Sequence, residues 1–275
     1  MDPVIARKTW RTLEPLHGAI YFVPEAVEEY RRLGFPRPTA AYFAARAAPM
    51  GAVAPGVVVA TFYNFEPGFV EESMDGAWDV ATPAEWAAAR LRAADAMFGR
   101  LVVEQPEPGT IERIAELARI AALAACERTE GRPLFAGHAE LPWPSEPHLV
   151  VWHAQTLLRE FRGDGHIAAL TGEGLTGIEA LVTHAAAGEV TADVLRTTRR
   201  WSEQDWAAAE DRLRSRGWLD PAGAFTGEGR RRRQQIEVRT DELATGPYAV
   251  LGEECCAELR ALARPLSRQM AAALV

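Results

Sequence analysis

Ser202-Glu203-Gln204-Asp205-Trp206 opens a helix. Leu213-Arg214-Ser215-Arg216-Gly217-Trp218-Leu219-Asp220-Pro221-Ala222-Gly223-Ala224-Phe225-Thr226 ends it and turns the chain back. Ser202, with Asp205 three residues on, is an N-cap signature, because the hydroxyl accepts an orphan backbone N–H of the first turn. Gly217 stops the helix past its last apolar position. Asp220-Pro221-Ala222-Gly223 has turn chemistry, and Phe225-Thr226 is predicted to return as a short strand. Two helices are predicted upstream, over 173–187 and 191–200. Two more follow, one from about 228 and one over 252–274. The order is therefore helix, helix, helix, short hairpin, helix.

That order is the order of a winged helix. Leu213 to Leu219 followed by Gly223-Ala224-Phe225-Thr226-Gly227-Glu228-Gly229 resembles the ending of MarR-type winged-helix domains, over roughly 173–250. The whole chain also resembles a group of actinobacterial helix-turn-helix family proteins. This second resemblance rests on Leu16-His17, Arg46 with Pro49-Met50-Gly51, Phe62-Tyr63-Asn64-Phe65, and the run from Leu158 through Gly163-Asp164-Gly165 to His166. The resemblance implies a fold and supplies no activity.

Working toward the N-terminus, Gly163-Asp164-Gly165 is predicted to break a helix that covers 148–161. Residues 130–147, with Pro133, Pro142, Pro144 and Pro147, are predicted to form a long structured loop. An amphipathic helix over 110–128 places Ile111, Ile114, Leu117, Ala118 and Ala121 on one face. Glu104-Gln105-Pro106-Glu107-Pro108-Gly109 reads as a linker. Thr82-Pro83-Ala84-Glu85 is a capping box opening a helix to about Phe98. Helices are also predicted over 24–33, 39–48 and 67–74, whereas 55–65 fits strand or buried helix. The expected division is an N-terminal winged-helix-like half over 1–103 and a C-terminal half over 110–275. His17 lies 37 residues before Ala54, and His166 lies 37 residues before Glu203. An internal duplication is one reading of that spacing. The fold class expected is mainly α, two winged-helix-like halves with a short β-hairpin wing.

Composition limits the function classes. With 48% hydrophobic residues over 275 positions the chain has enough apolar material for a core. No apolar run is long enough to span a membrane, and the first residues lack a signal-peptide layout. Cys126, Cys255 and Cys256 have neither disulfide-framework nor zinc spacing, so reduced thiols in a cytoplasm are expected. Lys8 is the single lysine, which removes Schiff-base and P-loop chemistry from consideration. Thirty basic against 38 acidic residues give a net charge of −8. DNA is not the expected partner: Glu203 and Asp205 lead the helix that would read bases, and the turn at 220–225 has no cation.

Polar chemistry concentrates in four clusters. His17 and Tyr21, four apart, share a helical face. Arg46 stands in the apolar run Ala45 to Gly51, and if buried it needs an anion or a carboxylate. Phe62 and Asn64 sit in an aromatic run that suits a pocket wall. Trp152, His153, Arg159, Arg162, Asp164 and His166 form the fourth. His17, His166 and Asp164 are the acid/base candidates; Tyr21, Arg46, Phe62, Asn64, Trp152, His153, Arg159 and Arg162 are the ligand-binding candidates. Each has a plain alternative as a satisfied core residue or a structural ion pair. No metal site, phosphate loop or nucleophile elbow is present in the sequence, and no cofactor is specified.

The function these features suggest is binding of a small organic ligand, anionic or aromatic, on a winged-helix-derived scaffold that no longer reads DNA. A homodimer is compatible with it. One alternative is an enzyme of secondary metabolism using histidine as acid/base or as a haem ligand. Another is a ligand-responsive transcription regulator.

Overall fold

Proline starts helix after helix in this chain. Its missing N–H costs nothing at a helix N-terminus, and its fixed φ suits the first turn. It opens α1 (Pro3–Gly18), α2 (Pro24–Arg32), α4 (Pro55–Phe62), α5 (Pro67–Met74), α7 (Pro83–Leu101) and α9 (Pro133–Ala139). Pro147 likewise opens α10 (Pro147–Gly172); the others are α3 (Tyr42–Ala47), α6 (Ala77–Val80), α8 (Thr110–Cys126), α11 (Gly177–Ala186), α12 (Ala192–Arg199), α13 (Glu203–Ser215), α14 (Gly227–Leu251) and α15 (Glu253–Ala272). The computed structural model describes residues 1–188 and 190–274, the side chain of Thr39 excepted. Mainly helical architecture is what the sequence predicted. No single helix among the described residues is long and apolar enough to cross a membrane.

The chain forms two compact units. Unit 1 is Met1–Val53, Gly76–Gly165 and Asp241–Val275. Here α1 packs along α15, α2 along α7, and α8 along α15. Leu13, Leu16, Trp86, Met97, Ile114 and Leu117 are all within 1% of full burial. Each aliphatic side chain of this size contributes roughly 1.5–3 kcal/mol when buried. Asp241, 1% exposed, accepts from Arg7 and from Arg162 Nη1 (2.8 Å), and Arg162 stacks over Trp10. A carboxylate so buried is kept by these two cations, which tie α1, α10 and α14 together.

Unit 2 is Ala54–Asp75 and His166–Thr240. Ile178 and Leu181 of α11, Leu195 of α12, Trp206 and Leu213 of α13, then Trp218, Leu219, Phe225 and Ile236 close one core. Two close backbone approaches require glycine. A Cβ on Gly229 would lie 2.0 Å from the Trp218 carbonyl oxygen, and one on Gly177 1.8 Å from that of Tyr63. The α4–α5 segment belongs to this unit: Trp201 Nε1 donates to the Asn64 carbonyl at 2.9 Å, and Glu66 N–H donates to the Arg199 carbonyl at 3.0 Å.

Four expectations are corrected or resolved. The β-hairpin wing is reduced to one antiparallel bridge, Leu219↔Phe225. The Asp220 side chain accepts from Ala222 and Ala224 N–H at 2.8 and 3.0 Å and closes the turn early. Thr226 then caps the first turn of α14, so no ladder extends beyond the bridge. The break at Gly163-Asp164-Gly165 does not occur, and α10 runs straight through it. Helical glycine costs about 1 kcal/mol against alanine, and the helix absorbs that cost; a Cβ at Gly165 would make ordinary contact with Leu243 at 3.4 Å. The predicted loop over 130–147 contains α9. Its start is supplied from a distance, by Asp164 accepting Phe135 N–H at 3.0 Å. The ambiguous stretch over 55–65 is helix α4 and then a turn at Tyr63, whose φ is +59°.

Candidate functional site

The end of α1, Tyr21 just beyond it, α3, α7, α9 and α10 bring an unusual set of polar groups into the interior of unit 1. His17 is fully buried. Its Nδ1 lies 2.8 Å from Thr156 Oγ1 and its Nε2 3.0 Å from Tyr21 Oη. The hydrogen-bond inventory sets the direction of each bond. Thr156 donates its hydroxyl proton to the Trp152 carbonyl at 2.8 Å. It therefore accepts from His17 Nδ1–H. His17 Nε2 is then the acceptor for the Tyr21 hydroxyl, and Tyr21 Oη accepts from Arg90 Nη2 at 3.0 Å. One directed chain runs Arg90, Tyr21, His17, Thr156, Trp152 carbonyl, with a neutral imidazole at its centre. Burial first, then the Arg159 and Arg90 charges, hold the His17 pKa well below its ordinary value, in agreement with that tautomer.

An ion cluster lies beside this chain. Glu160, 1% exposed, receives Arg46 Nε at 3.1 Å and Nη2 at 2.6 Å, and Arg159 Nη1 at 3.1 Å. Arg159 Nε also reaches Glu14 Oε1 at 2.9 Å, and Arg46 Nη1 reaches Tyr42 Oη at 2.5 Å. Burial pushes the Glu160 carboxyl up, but Arg46 and Arg159 overcome it and hold it well below the usual carboxylate range. Arg46 thus has the carboxylate partner that a buried arginine needs.

Arg90 is different. It is 3% exposed, and its guanidinium lies over the rings of Trp152 (5.1 Å) and Tyr21 (5.8 Å). The bond to neutral Tyr21 is its one hydrogen bond, and it has no carboxylate partner among the described residues. Several groups near it are unsatisfied. Trp152 Nε1, His138 Nε2 and His153 Nε2 are buried without a partner. Burial first, then the charge of Arg90, holds His138 well below its ordinary pKa and pushes His153 down to about 4. Gln155, on the same turn of α10 and fully buried, has both amide atoms unpaired. Native interiors satisfy nearly all buried polar atoms, so this concentration calls for a ligand or water.

The other candidates lie elsewhere. Arg162 serves Asp241, and Asp164 serves the start of α9. Burial raises the Asp164 pKa to about 6 against the Phe135 N–H, which lowers it. Phe62, Asn64 and His166 belong to unit 2. There His166 Nδ1 lies 2.9 Å from Thr240 Oγ1, and Thr240 donates to the Ile236 carbonyl. This repeats the His17–Thr156 arrangement, a threonine donating to the carbonyl four residues back and accepting from a histidine. Among the described residues, no group of three or more His, Cys, Asp or Glu side chains is placed to hold a metal ion.

In unit 2, α11 packs against both α12 and α13. Residues 6–275 match the family model described as "Helix-turn-helix family". The chain belongs to the helix-turn-helix family. No curated protein and no solved structure matches it. In this helix-turn-helix protein, the surface of α13 is carboxylate-led. Glu203 and Asp205 are exposed in its first turn. Its arginines are engaged: Arg212 with Glu179 at 2.8 Å, and Arg214 with Asp211 at 2.7 Å and Glu210 at 2.9 Å. In the run at 230–233, Arg231 and Arg232 pair with Glu228, and Arg233 pairs with Glu237.

Sequence reasoning missed Arg90, His138, Gln155, Thr156 and Glu160. For Arg90 a signal exists. Trp86, Ala89, Arg90, Ala93 and Met97 recur at helical spacing on the buried face of α7. An arginine inside such a stripe is either paired or functional.

Proposed function

We propose that this helix-turn-helix protein binds a small anionic molecule in the interior of unit 1, on a scaffold that no longer reads DNA. Arg90 carries the reading: it is a buried cation with one neutral hydrogen-bond partner, near the unpaired Trp152 indole N–H and the unpaired ring nitrogens of His138 and His153. A buried charge left in this state costs stability, and binding sites accept such costs. The anion would supply what Arg90 lacks, and Trp152 Nε1–H would add a neutral, directional donor. The directed chain through Tyr21 and His17 holds the Arg90 guanidinium in place from behind. A general-acid role for His17 is less favoured, because both of its ring nitrogens are already bonded.

In unit 2, the resemblance to a MarR-type winged helix over 173–250 gives a scaffold whose third helix would meet a major groove. Glu203 and Asp205 would then face phosphate, and repulsion would oppose docking. The paired arginines of α13 leave little charge for counterion release.

The test is a ligand screen by thermal shift, followed by calorimetric titration, using small organic anions on the wild-type protein and on Arg90→Met. The expected result is saturable binding to wild type that the variant loses. Binding that is equal in both proteins would remove Arg90 from the site.

A further inference from the structure

The charge balance around Arg90 narrows what the ligand can be. The cations of the cluster are Arg46, Arg90 and Arg159, and the anions are Glu14 and Glu160. Arg46 and Arg159 are taken up by Glu160 and Glu14, through contacts of 2.6–3.1 Å. His17 is neutral by its hydrogen-bond directions, since Nδ1 donates and Nε2 accepts. Asp164 is placed toward the start of α9, near Arg132, and does not bond to Arg90. One positive charge remains, on Arg90.

The donor pattern is equally restrictive. A guanidinium presents five N–H groups in a planar fork, and Tyr21 occupies one of them. Trp152 Nε1–H adds a donor on the ring that Arg90 overlies. A planar group with two acceptor oxygens satisfies such a fork in two parallel bonds. A tetrahedral dianion would bring a second negative charge into a buried site where Arg46 and Arg159 are already paired; Arg119, which acts on His153, is exposed and lies over Trp143. In an interior that charge is expensive.

Resting on the reading that Arg90 binds an anion, we propose that the ligand class is a singly charged carboxylate, held bidentate by Arg90, and that dianions such as inorganic sulfate, inorganic phosphate and phosphate monoesters are excluded by charge. The selectivity is electrostatic and is set by the pairing of Arg46 and Arg159 with their glutamates. Were either pair broken, the site would carry an additional free cation and would tolerate a dianion.

The test is calorimetric titration at pH 8 with three matched sets. Acetate, butyrate and benzoate are the carboxylates, acetamide and benzamide their neutral counterparts, and sulfate and inorganic phosphate the dianions. The expected result is that at least one carboxylate binds saturably, at least tenfold more tightly than its amide and than either dianion. Arg90→Lys, which keeps the charge and loses the fork, is expected to weaken that carboxylate at least tenfold. Sulfate or phosphate binding as tightly as the best carboxylate, with loss in Arg90→Met, would overturn the charge argument and leave the anion site standing. Unchanged carboxylate affinity in Arg90→Lys would overturn bidentate recognition. If no probe of either charge binds in an Arg90-dependent way, the underlying anion site itself is wrong.

Discussion

Replacing Arg90 with methionine is expected to stabilise the ligand-free protein. Arg90 is 3% exposed as a whole residue, so it has lost most of its hydration. The effective penalty for such an ion is several kcal/mol. Against it stand one charged-to-neutral hydrogen bond, worth about 1.5–3 kcal/mol, and two cation–π contacts of about 0.5–2 kcal/mol each. These offsets leave the arginine close to neutral or net unfavourable. Methionine adds apolar burial against Trp152 and Tyr21, and even a buried ion pair replaced by apolar groups is often neutral or stabilising by about 1–4 kcal/mol. A gain of about 1–3 kcal/mol is therefore expected, seen as a rise of several degrees in melting temperature. The assay is thermal and urea unfolding of both proteins in a buffer free of carboxylates. Destabilisation by more than about 1 kcal/mol would refute the reasoning, because it would mean that Arg90 is satisfied where it stands and serves the fold.

Glu160→Gln is expected to destabilise by about 3–5 kcal/mol, since it leaves Arg46 and Arg159 buried without their shared carboxylate; urea midpoints measure this, and a loss below 1 kcal/mol would mean that the cluster is solvated. Tyr21→Phe cuts the directed chain and orphans both His17 Nε2 and Arg90 Nη2, costing about 1–3 kcal/mol; nitrogen shifts of the His17 ring should report loss of the fixed tautomer, and an unchanged ring would argue against the chain. Burial raises Asp164 from 3.8 to about 6, so the neutral form favours the fold. The contribution is complete below about pH 4 and is lost as pH rises through 6, for a total of about 3 kcal/mol. Asp164→Asn should become progressively more stable relative to wild type across pH 4–6, and parallel unfolding curves would contradict the shift. Duplex DNA is expected to show no saturable binding at about 0.15 M salt; tight, selective binding that Glu203→Ala leaves unchanged would overturn the charge argument for α13.

What could be read from the sequence was what is encoded locally. Thr82 with Glu85 and Ser202 with Asp205 mark helix starts within a single turn, and both caps form in the structure. His17 and Tyr21 meet because four residues are one helical turn. The features that could not be read depend on residues far apart in the chain. Helix α9 is started by Asp164, 29 positions away, so Pro133 alone looked like loop. Gly163 and Gly165 looked like a break because the neighbours that hold α10 helical there, such as Leu243, are distant in sequence. Glu160 was hidden in a charged motif until Arg46, 114 residues earlier, came into reach. Arg90 was obscured by the alanines around it, although its register on the buried face of α7 was available.

The most direct measurement of the central claim is the indole N–H resonance of Trp152, assigned with Trp152→Phe and followed by NMR during titration with the best-binding carboxylate. Trp152 Nε1 has no partner in the structure, and its ring lies under Arg90. The account predicts a saturable shift of that resonance and of the Arg90 Nε–H in the wild type, with the Trp152 shift absent in Arg90→Met. A Trp152 resonance that stays in place while the ligand binds, or that moves equally in Arg90→Met, would contradict it.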